Sequence, residues 1–128
     1  MKNFTISLIA IALLFMIACK AEIDKELIHG QWKASAFIEN GTAADVDLTN
    51  VSFTFNKDGS YQYHGTLQPQ ESGRFYVLGR MLFTTDTTAN QRIEKSVKIT
   101  QLTTDSLYFQ MNAGGVPQGF QLYKVSTK

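Results

Sequence analysis

Apolar side chains alternate with polar ones through most of the chain after residue 30. In the first such segment Trp32, Ala34, Ala36 and Ile38 share one side of the repeat. A period of two residues is typical of a strand that buries one face in a core. The same repeat returns through the rest of the chain, and we predict eight strands in total.

Short polar connections join most of these predicted strands. Lys57-Asp58-Gly59 forms one turn, and Gly79-Arg80 forms a two-residue turn of the kind found in II′ hairpins. Longer polar loops are predicted over 41–50 and 112–119. No helix of useful length separates neighbouring strands, so we expect antiparallel pairing. Eight antiparallel strands can close into an up-and-down barrel, which leaves no free sheet edge.

One side of each strand would face the interior of such a barrel, and the predicted inward set is rich in aromatic residues. It consists of Trp32, Ala34, Ala36, Ile38, Val51, Phe53, Phe55, Tyr61, Tyr63, Phe75, Val77, Met81, Phe83, Val97, Ile99, Leu107, Phe109, Met111, Phe120 and Leu122. An eight-stranded barrel is just wide enough to be filled by its own side chains or to hold one small ligand. Both alternatives stay open at this point.

The small side chains and the tyrosine hydroxyls of the inward set suggest where a ligand would bind. Alanines leave space near the mouth, and hydroxyls orient a ligand in an otherwise apolar pocket. The residues predicted to contact a ligand are Ala34, Ala36, Phe53, Tyr61, Tyr63, Phe75, Phe83 and Phe109. The apolar residues predicted to face outward, where they could bind a partner instead, are Phe37, Tyr76, Leu82, Tyr108 and Tyr123.

The segment before the first strand reads as a targeting signal followed by a short helix. Lys2 precedes an apolar run from Phe4 to Ala18, which is typical of a secretory signal peptide and short of the ~20 residues of a membrane-spanning helix. Residues 21–29 could form about two helical turns, since their apolar positions recur at helical spacing. Gly30 would end that helix.

Cys19 is the only cysteine in the chain and directly follows the apolar run. Met16-Ile17-Ala18-Cys19 resembles the lipobox of bacterial lipoproteins, with methionine where leucine is usual. This resemblance implies cleavage before Cys19, lipid attached to its thiol and, because Lys20 follows, location in the outer membrane. The alternative is a chance thiol in an uncleaved anchor helix. We therefore expect a signal peptide at 1–18, a lipidated tether and short helix at 19–29, and a barrel domain at 30–128.

Three short sequence segments in the predicted barrel region carry a second resemblance. They are Gly30-Gln31-Trp32-Lys33, the run from Phe53 to Tyr61, and Thr104-Asp105-Ser106-Leu107. Together with the strand pattern they resemble lipocalin-like (calycin) proteins, especially small lipoproteins of Gram-negative bacteria. The resemblance implies that Gly30 and Trp32 lie at the barrel floor beneath a basic side chain, for which Lys124 stands where arginine is usual. The alternative for Lys124 is an exposed side chain at a strand end.

Charge and motifs exclude several functions. Twelve basic and eleven acidic residues nearly cancel and form no basic stripe, which disfavours nucleic-acid binding. Neither a Gly-x-Ser-x-Gly motif nor a phosphate-binding loop is present. His29 and His64 lack partners at metal-ligand spacing, Asp45 and Asp47 lack the further oxygens of a calcium site, and Glu71 is assigned to a turn. We predict no enzyme activity, no cofactor and no metal.

The function that best fits these observations is binding of a small apolar or amphipathic ligand by a monomeric, membrane-anchored lipoprotein of the cell envelope. The alternative is an interaction module with a barrel filled by side chains. Such a module would bind a protein or a glycan through its outer face or its loops, and an inhibitor would use the loops at 41–50 and 112–119.

Overall fold

Strands make up almost all of the computed structural model, which describes residues 23–67, 69–88 and 92–125. A single 3₁₀ helix, Lys25–Ile28, precedes the strands β1 Gly30–Glu39, β2 Thr42–Ala43, β3 Ser52–Phe55, β4 Ser60–His64, β5 Glu71–Leu78, β6 Met81–Asp86, β7 Ile93–Leu102, β8 Ser106–Ala113 and β9 Val116–Lys124. The predicted signal peptide and Cys19 lie outside the described residues.

The strands form one antiparallel sheet that closes on itself. Each strand from β3 to β8 pairs with the next along the chain, and β1 pairs with both β3 and β9. Closure places Trp32 opposite Lys124 and Ala34 opposite Leu122. The predicted all-β class and eight-stranded up-and-down barrel are therefore confirmed, with β2 as one extra strand outside the barrel count.

The extra strand arises from a tight hairpin at the start of the predicted 41–50 loop. Asn40 and Gly41 have φ values of 52° and 81°. They connect Glu39 to its directly paired neighbour Thr42 through two residues only. Positive φ at both central positions is the geometry of a type I′ turn, for which Asn-Gly is the preferred sequence.

The predicted helix before the barrel is a single 3₁₀ turn within the described residues. The Asp24 side chain caps it by accepting a hydrogen bond from the backbone N–H of Glu26 at 3.2 Å. Ile28, at its end, is 1% exposed, and Ile23 packs against the core. Packing rather than helix length therefore fixes this segment against the barrel, as expected for so short a helix.

A bulge in β1 changes which side chains of that strand face inward. The pairing with β9 shifts by one residue between Ala34 and Ala36. Beyond the shift Phe37 faces inward, opposite Phe120, with ring centroids 4.9 Å apart. The predictions that Ala36 and Ile38 face inward and that Phe37 faces outward are wrong, because a bulge reverses the alternation of the residues that follow it.

The β5–β6 hairpin changes the inward set in the same way. Gly79-Arg80 joins the strands so that Val77 pairs directly with Leu82, and directly paired residues share a face. Leu82 is therefore inward and 2% exposed. Phe83 lies outside the barrel, stacked on Tyr76 with ring centroids 4.8 Å apart. The predictions that Met81 and Phe83 face inward and that Leu82 faces outward are wrong, since a two-residue turn reverses the parity of the inward positions.

The best-buried side chains gather at the end of the barrel that the 3₁₀ helix covers. Trp32 and Ile99 are 0% exposed, and Ile28, Phe55 and Leu107 are at most 1% exposed. This end is the floor of the barrel. Among the residues that the structure describes, no helix has the length and apolar content needed to cross a membrane.

Candidate functional site

A cavity of about 350 Å³ opens at the end of the barrel opposite the floor. This volume lies within the range of about 300–1,000 Å³ that small-molecule pockets occupy. The cavity is lined by Phe37, Phe53, Phe55, Tyr61, Tyr63, Leu67, Glu71, Leu82, Thr84, Lys95, Val97, Phe109, Met111, Gln118 and Phe120. The barrel is therefore filled at its floor and open at its mouth.

Aromatic rings form most of the cavity wall. Phe53 lies at their centre, with its ring centroid 5.0 Å from that of Tyr63 and 5.5 Å from those of Phe109 and Phe120. The three partners are buried, whereas Phe53 is only partly buried. Edge-to-face and tilted ring contacts of this kind hold the rings in place. The wall thus offers a fixed apolar surface to a ligand.

Three polar side chains, here called the polar trio, lie together in the cavity: Tyr61, Glu71 and Lys95. The Tyr61 hydroxyl donates a hydrogen bond to Glu71 Oε2 at 2.7 Å, and Lys95 Nζ donates to Glu71 Oε1. The Glu71 side chain is 12% exposed and that of Lys95 is 49% exposed. Burial raises the pKa of Tyr61, and the hydrogen bond to Glu71 raises that pKa further. The trio places a neutralised charge pair in an otherwise apolar cavity.

The floor is built around Trp32. Its Nε1 donates a hydrogen bond to the carbonyl of Ile28 at 2.8 Å, and Lys124 Nζ lies 4.5 Å from the centroid of its ring. The same ammonium donates to the carbonyl of His29, and burial lowers the pKa of Lys124. Gly30 has a φ of 130°, and a Cβ there would lie 2.8 Å from Lys124 Nζ. A glycine at this position leaves room for the lysine to cover the indole.

The fold and the floor agree with the family comparison. A model of the lipocalin-like domain matches residues 28–109, which is more than half of the chain. This chain belongs to the lipocalin-like domain family. The family predicted from the Gly30-to-Lys33 phrase and the strand pattern is confirmed.

Solved structures show the same fold for this lipocalin-like protein. A lipocalin-like protein from Bacteroides uniformis is 18% identical with a TM-score of 0.60, and covers 77% of this chain and 99% of its own. An uncharacterised Bacteroides eggerthii protein is 15% identical with a TM-score of 0.59 and the same two coverages. Insecticyanin from the tobacco hornworm Manduca sexta is 9% identical with a TM-score of 0.61, and covers 83% of this chain and 66% of its own. No curated protein matches this chain.

Half of the residues predicted to contact a ligand lie outside the cavity of this lipocalin-like protein. Ala34 is buried within the core, and Phe75 packs on Phe55 and His29 toward the floor. Ala36 and Phe83 face outward, as described above. The predicted residues that line the cavity are Phe53, Tyr61, Tyr63 and Phe109. Contact of these four with a ligand stays a prediction.

Sequence reasoning missed the two charged members of the polar trio. Glu71, assigned to a turn, is the first residue of β5 and pairs with Tyr63. Lys95 shares the inward side of β7 with Val97 and Ile99. A lysine that alternates in register with two inward apolar residues is the signal that could have identified it. A carboxylate on a neighbouring inward position is the partner that stabilises such a charge.

Metal-binding geometry is absent from the described ranges. No group of three His, Cys, Asp or Glu side chains there could hold an ion. Asp47 Oδ1 instead accepts hydrogen bonds from the hydroxyl and the backbone N–H of Thr49, which lower the pKa of Asp47. This arrangement stabilises the loop after β2 and accounts for the aspartate without a cation.

Proposed function

We propose that this lipocalin-like protein binds a small apolar or amphipathic ligand in the cavity at the mouth of its barrel. The observation that carries the proposal is the cavity itself, about 350 Å³ with aromatic walls and a polar trio. A barrel filled by its own side chains would leave no such space. Apolar walls with a few placed polar groups are the usual composition of a small-molecule site.

A tryptophan scan tests this proposal with matched controls on β7 and β8. Val97 and Met111 line the cavity, whereas Ser96 and Gln110 are their exposed neighbours on the opposite face. Val97→Trp and Met111→Trp would fill the cavity, and we expect them to weaken binding of the neutral fluorescent probe N-phenylnaphthylamine at least ~10-fold. Ser96→Trp and Gln110→Trp should leave binding unchanged.

The outcome is read together with the far-ultraviolet circular dichroism of each variant, which reports whether the sheet is retained. Equal probe binding by the cavity-filling and the surface variants would mean that the probe binds elsewhere, and would refute the proposal. Native mass spectrometry of protein purified from its own host adds an independent measurement. A small molecule that co-purifies with the wild type and is lost in Val97→Trp supports a ligand in the cavity.

We also propose that lipid on Cys19 anchors the protein in the bacterial cell envelope, in the outer membrane, as a monomer. The support is the position of the only cysteine, directly after the apolar run and an alanine. More than one acyl chain is needed for stable membrane anchoring, and lipoprotein processing supplies them. Cys19→Ala should move the protein from the membrane to the soluble fraction. Retention on the membrane would refute the anchor.

The proposed anchor would also determine which way the mouth faces. Ile23 packs against the core next to the floor, so four Cα–Cα steps separate Cys19 from a fixed point of the barrel. That length of chain reaches about 14 Å at most. The ten residues of β1, tilted as in other barrels, place the mouth roughly 25 Å from the floor. The tether is too short to turn the mouth onto its own bilayer, so the ligand would enter from the aqueous side.

Fluorescent labels at the two ends of the barrel test this orientation. Arg80 lies in the exposed β5–β6 turn at the floor end, and Ala113 lies at the exposed end of β8 near the mouth. In vesicles with quencher lipids, a label on Arg80→Cys should be quenched more strongly than one on Ala113→Cys. The reverse order would show that the mouth faces the membrane.

The alternative of an interaction module depends on outward apolar residues that cluster. Phe37 and Leu82, two of those predicted to face outward, line the cavity instead. Tyr76 and Tyr123 are 45% and 48% exposed, but they lie on β5 and β9, which are not neighbours in the sheet. Tyr76 does belong to an outer apolar group on β5 and β6, where Phe83 stacks on it and Leu78, 63% exposed, pairs with Met81. A partner would bind this group under the alternative, whereas the cavity with its polar trio favours ligand binding.

A further inference from the structure

The polar trio shows which hydrogen-bonding groups the cavity still offers to a ligand. Glu71 accepts from both Tyr61 and Lys95, so the charges of the carboxylate and the ammonium cancel within the trio. The Tyr61 hydroxyl proton is already donated to Glu71. The Thr84 hydroxyl hydrogen-bonds to Tyr61, and the Gln118 amide nitrogen donates to Glu39. What remains for a ligand is the spare N–H groups of Lys95, the outer lone pairs of Glu71 and the side-chain carbonyl of Gln118.

The charges around the trio determine whether a charged ligand group would be attracted or repelled. An anionic group that reached Lys95 would also lie beside Glu71, which is only 12% exposed and therefore weakly screened. Glu39, which accepts a hydrogen bond from Gln118, and Asp86 at the end of β6 add negative charge near the mouth. A cationic group would find these carboxylates but would also approach the ammonium of Lys95. A neutral group with both donor and acceptor atoms is repelled neither by the carboxylates nor by the ammonium of Lys95.

We propose that the polar trio selects ligands whose polar end is neutral, such as a hydroxyl or an amide, over ligands that end in a carboxylate or an amine. The inference rests on the proposed function, because it concerns the occupant of the same cavity. Neutral heads would hydrogen-bond to Lys95, Glu71 and their neighbours without breaking the ion pair, while the apolar remainder lies against Phe53 and the rings around it. The carboxylate is expected to bind weakest, since Glu71 lies against Lys95 and Glu39 and Asp86 add further negative charge near the mouth.

Two substitutions that each remove one charge should reverse this selection in opposite directions. Glu71→Gln leaves the charge of Lys95 uncompensated and should shift preference toward a carboxylate. Lys95→Met leaves Glu71 uncompensated and should shift preference toward an amine. The matched controls are Glu94→Gln and Lys98→Met, which remove the same charges from exposed positions of the outer face of β7.

The experiment measures displacement of bound N-phenylnaphthylamine by decanol, decanoate and decylamine near pH 7, so that the three competitors share one chain and differ in charge. In the wild type we expect decanol to bind about 10-fold tighter than decanoate. Glu71→Gln should bind decanoate as tightly as decanol or more tightly, and Lys95→Met should bind decylamine as tightly as decanol or more tightly. The two controls should keep the wild-type order of affinities. Trp32 fluorescence confirms that each variant is folded, because this residue is the only tryptophan and is buried at the floor.

Two results would overturn the inference, and they have different meanings. The trio does not select the head group if the wild type binds the probe but binds decanoate as tightly as decanol. The same conclusion follows if Glu71→Gln keeps the wild-type order of affinities. The proposed ligand cavity would survive that result. If the wild type binds neither the probe nor any competitor, the proposed function fails and the inference fails with it.

Discussion

Replacing Lys124 by methionine tests the floor of the barrel most directly. The substitution removes the ammonium above Trp32 and keeps a side chain of similar length. A cation 4.5 Å from a ring centroid contributes about 0.5–2 kcal/mol. The hydrogen bonds that the same ammonium donates to the carbonyls of His29 and Leu27 involve a charged donor, and such bonds contribute ~1.5–3 kcal/mol each when well formed.

These contributions do not add in full. The distance to the Leu27 carbonyl is 3.4 Å, which is long for a hydrogen bond, and part of the ammonium remains in contact with water. Burial of the charge, which lowers the pKa of Lys124, offsets a further part. We therefore expect Lys124→Met to lower the free energy of unfolding by about 2 kcal/mol, or the melting temperature by roughly 8–16 °C. Lys124→Arg keeps a cation and should lose less.

Urea unfolding followed by tryptophan fluorescence measures this loss at the floor itself. Trp32 is the only tryptophan in the chain and is 0% exposed, so its emission reports whether the floor is closed. Lys98→Met is the control, since Lys98 is exposed on β7 and changes at such positions usually stay within ~0.5 kcal/mol. If Lys124→Met costs no more than Lys98→Met, the lysine does not stabilise the floor and the reasoning is refuted.

Three further predictions concern backbone freedom, ionisation and register. Gly30→Ala should destabilise the protein more than Gly41→Ala, because both glycines have positive φ but only a Cβ at Gly30 meets another side chain; urea midpoints of the two variants decide this. The pKa of Tyr61 in the folded protein is raised above its ordinary value of 10.0, so its contribution to stability is complete below that pH and declines above it. The stability advantage of wild type over Tyr61→Phe should therefore stay constant up to about pH 9 and shrink as the pH rises above 10 in urea titrations; a constant difference above pH 10 would contradict the burial argument. Leu82→Ala should cost ~2–5 kcal/mol as a core truncation and more than Phe83→Ala, which removes only an outer ring contact; thermal melts giving the opposite order would mean that the hairpin register is wrong.

The strands and their order followed from the sequence because a period of two residues is a local property. Where the period was interrupted, the sequence did not show which side chains face inward. The bulge after Ala34 depends on how β1 meets β9, a strand more than 80 residues later, and alternation in β1 alone cannot show it. The reversal at Leu82, by contrast, was available from the sequence, because a two-residue turn at Gly79-Arg80 fixes the pairing of both flanking strands.

The candidate site was predicted less completely than the fold. Aromatic residues of the wall, such as Phe53 and Phe109, were found because they alternate within regular strands. Glu71 was missed because its role depends on Tyr61 and Lys95, which are 10 and 24 residues away along the chain and meet it only when β4 to β7 pair into a curved sheet. Whether space remains between such side chains depends on packing, which composition does not determine.

Stability and recognition occupy opposite ends of this barrel. At the floor, Trp32 and its neighbours are fully buried, and Lys124 joins the last strand to the segment before the first. At the mouth, Phe53 and Lys95 are only partly covered, so their surfaces remain available to a ligand. Changes at the floor should therefore alter unfolding, whereas changes in the trio should alter ligand preference with little effect on the fold. If Glu71→Gln lowered the free energy of unfolding while the folded variant kept the wild-type order of ligands, the trio would stabilise the barrel rather than select its ligand.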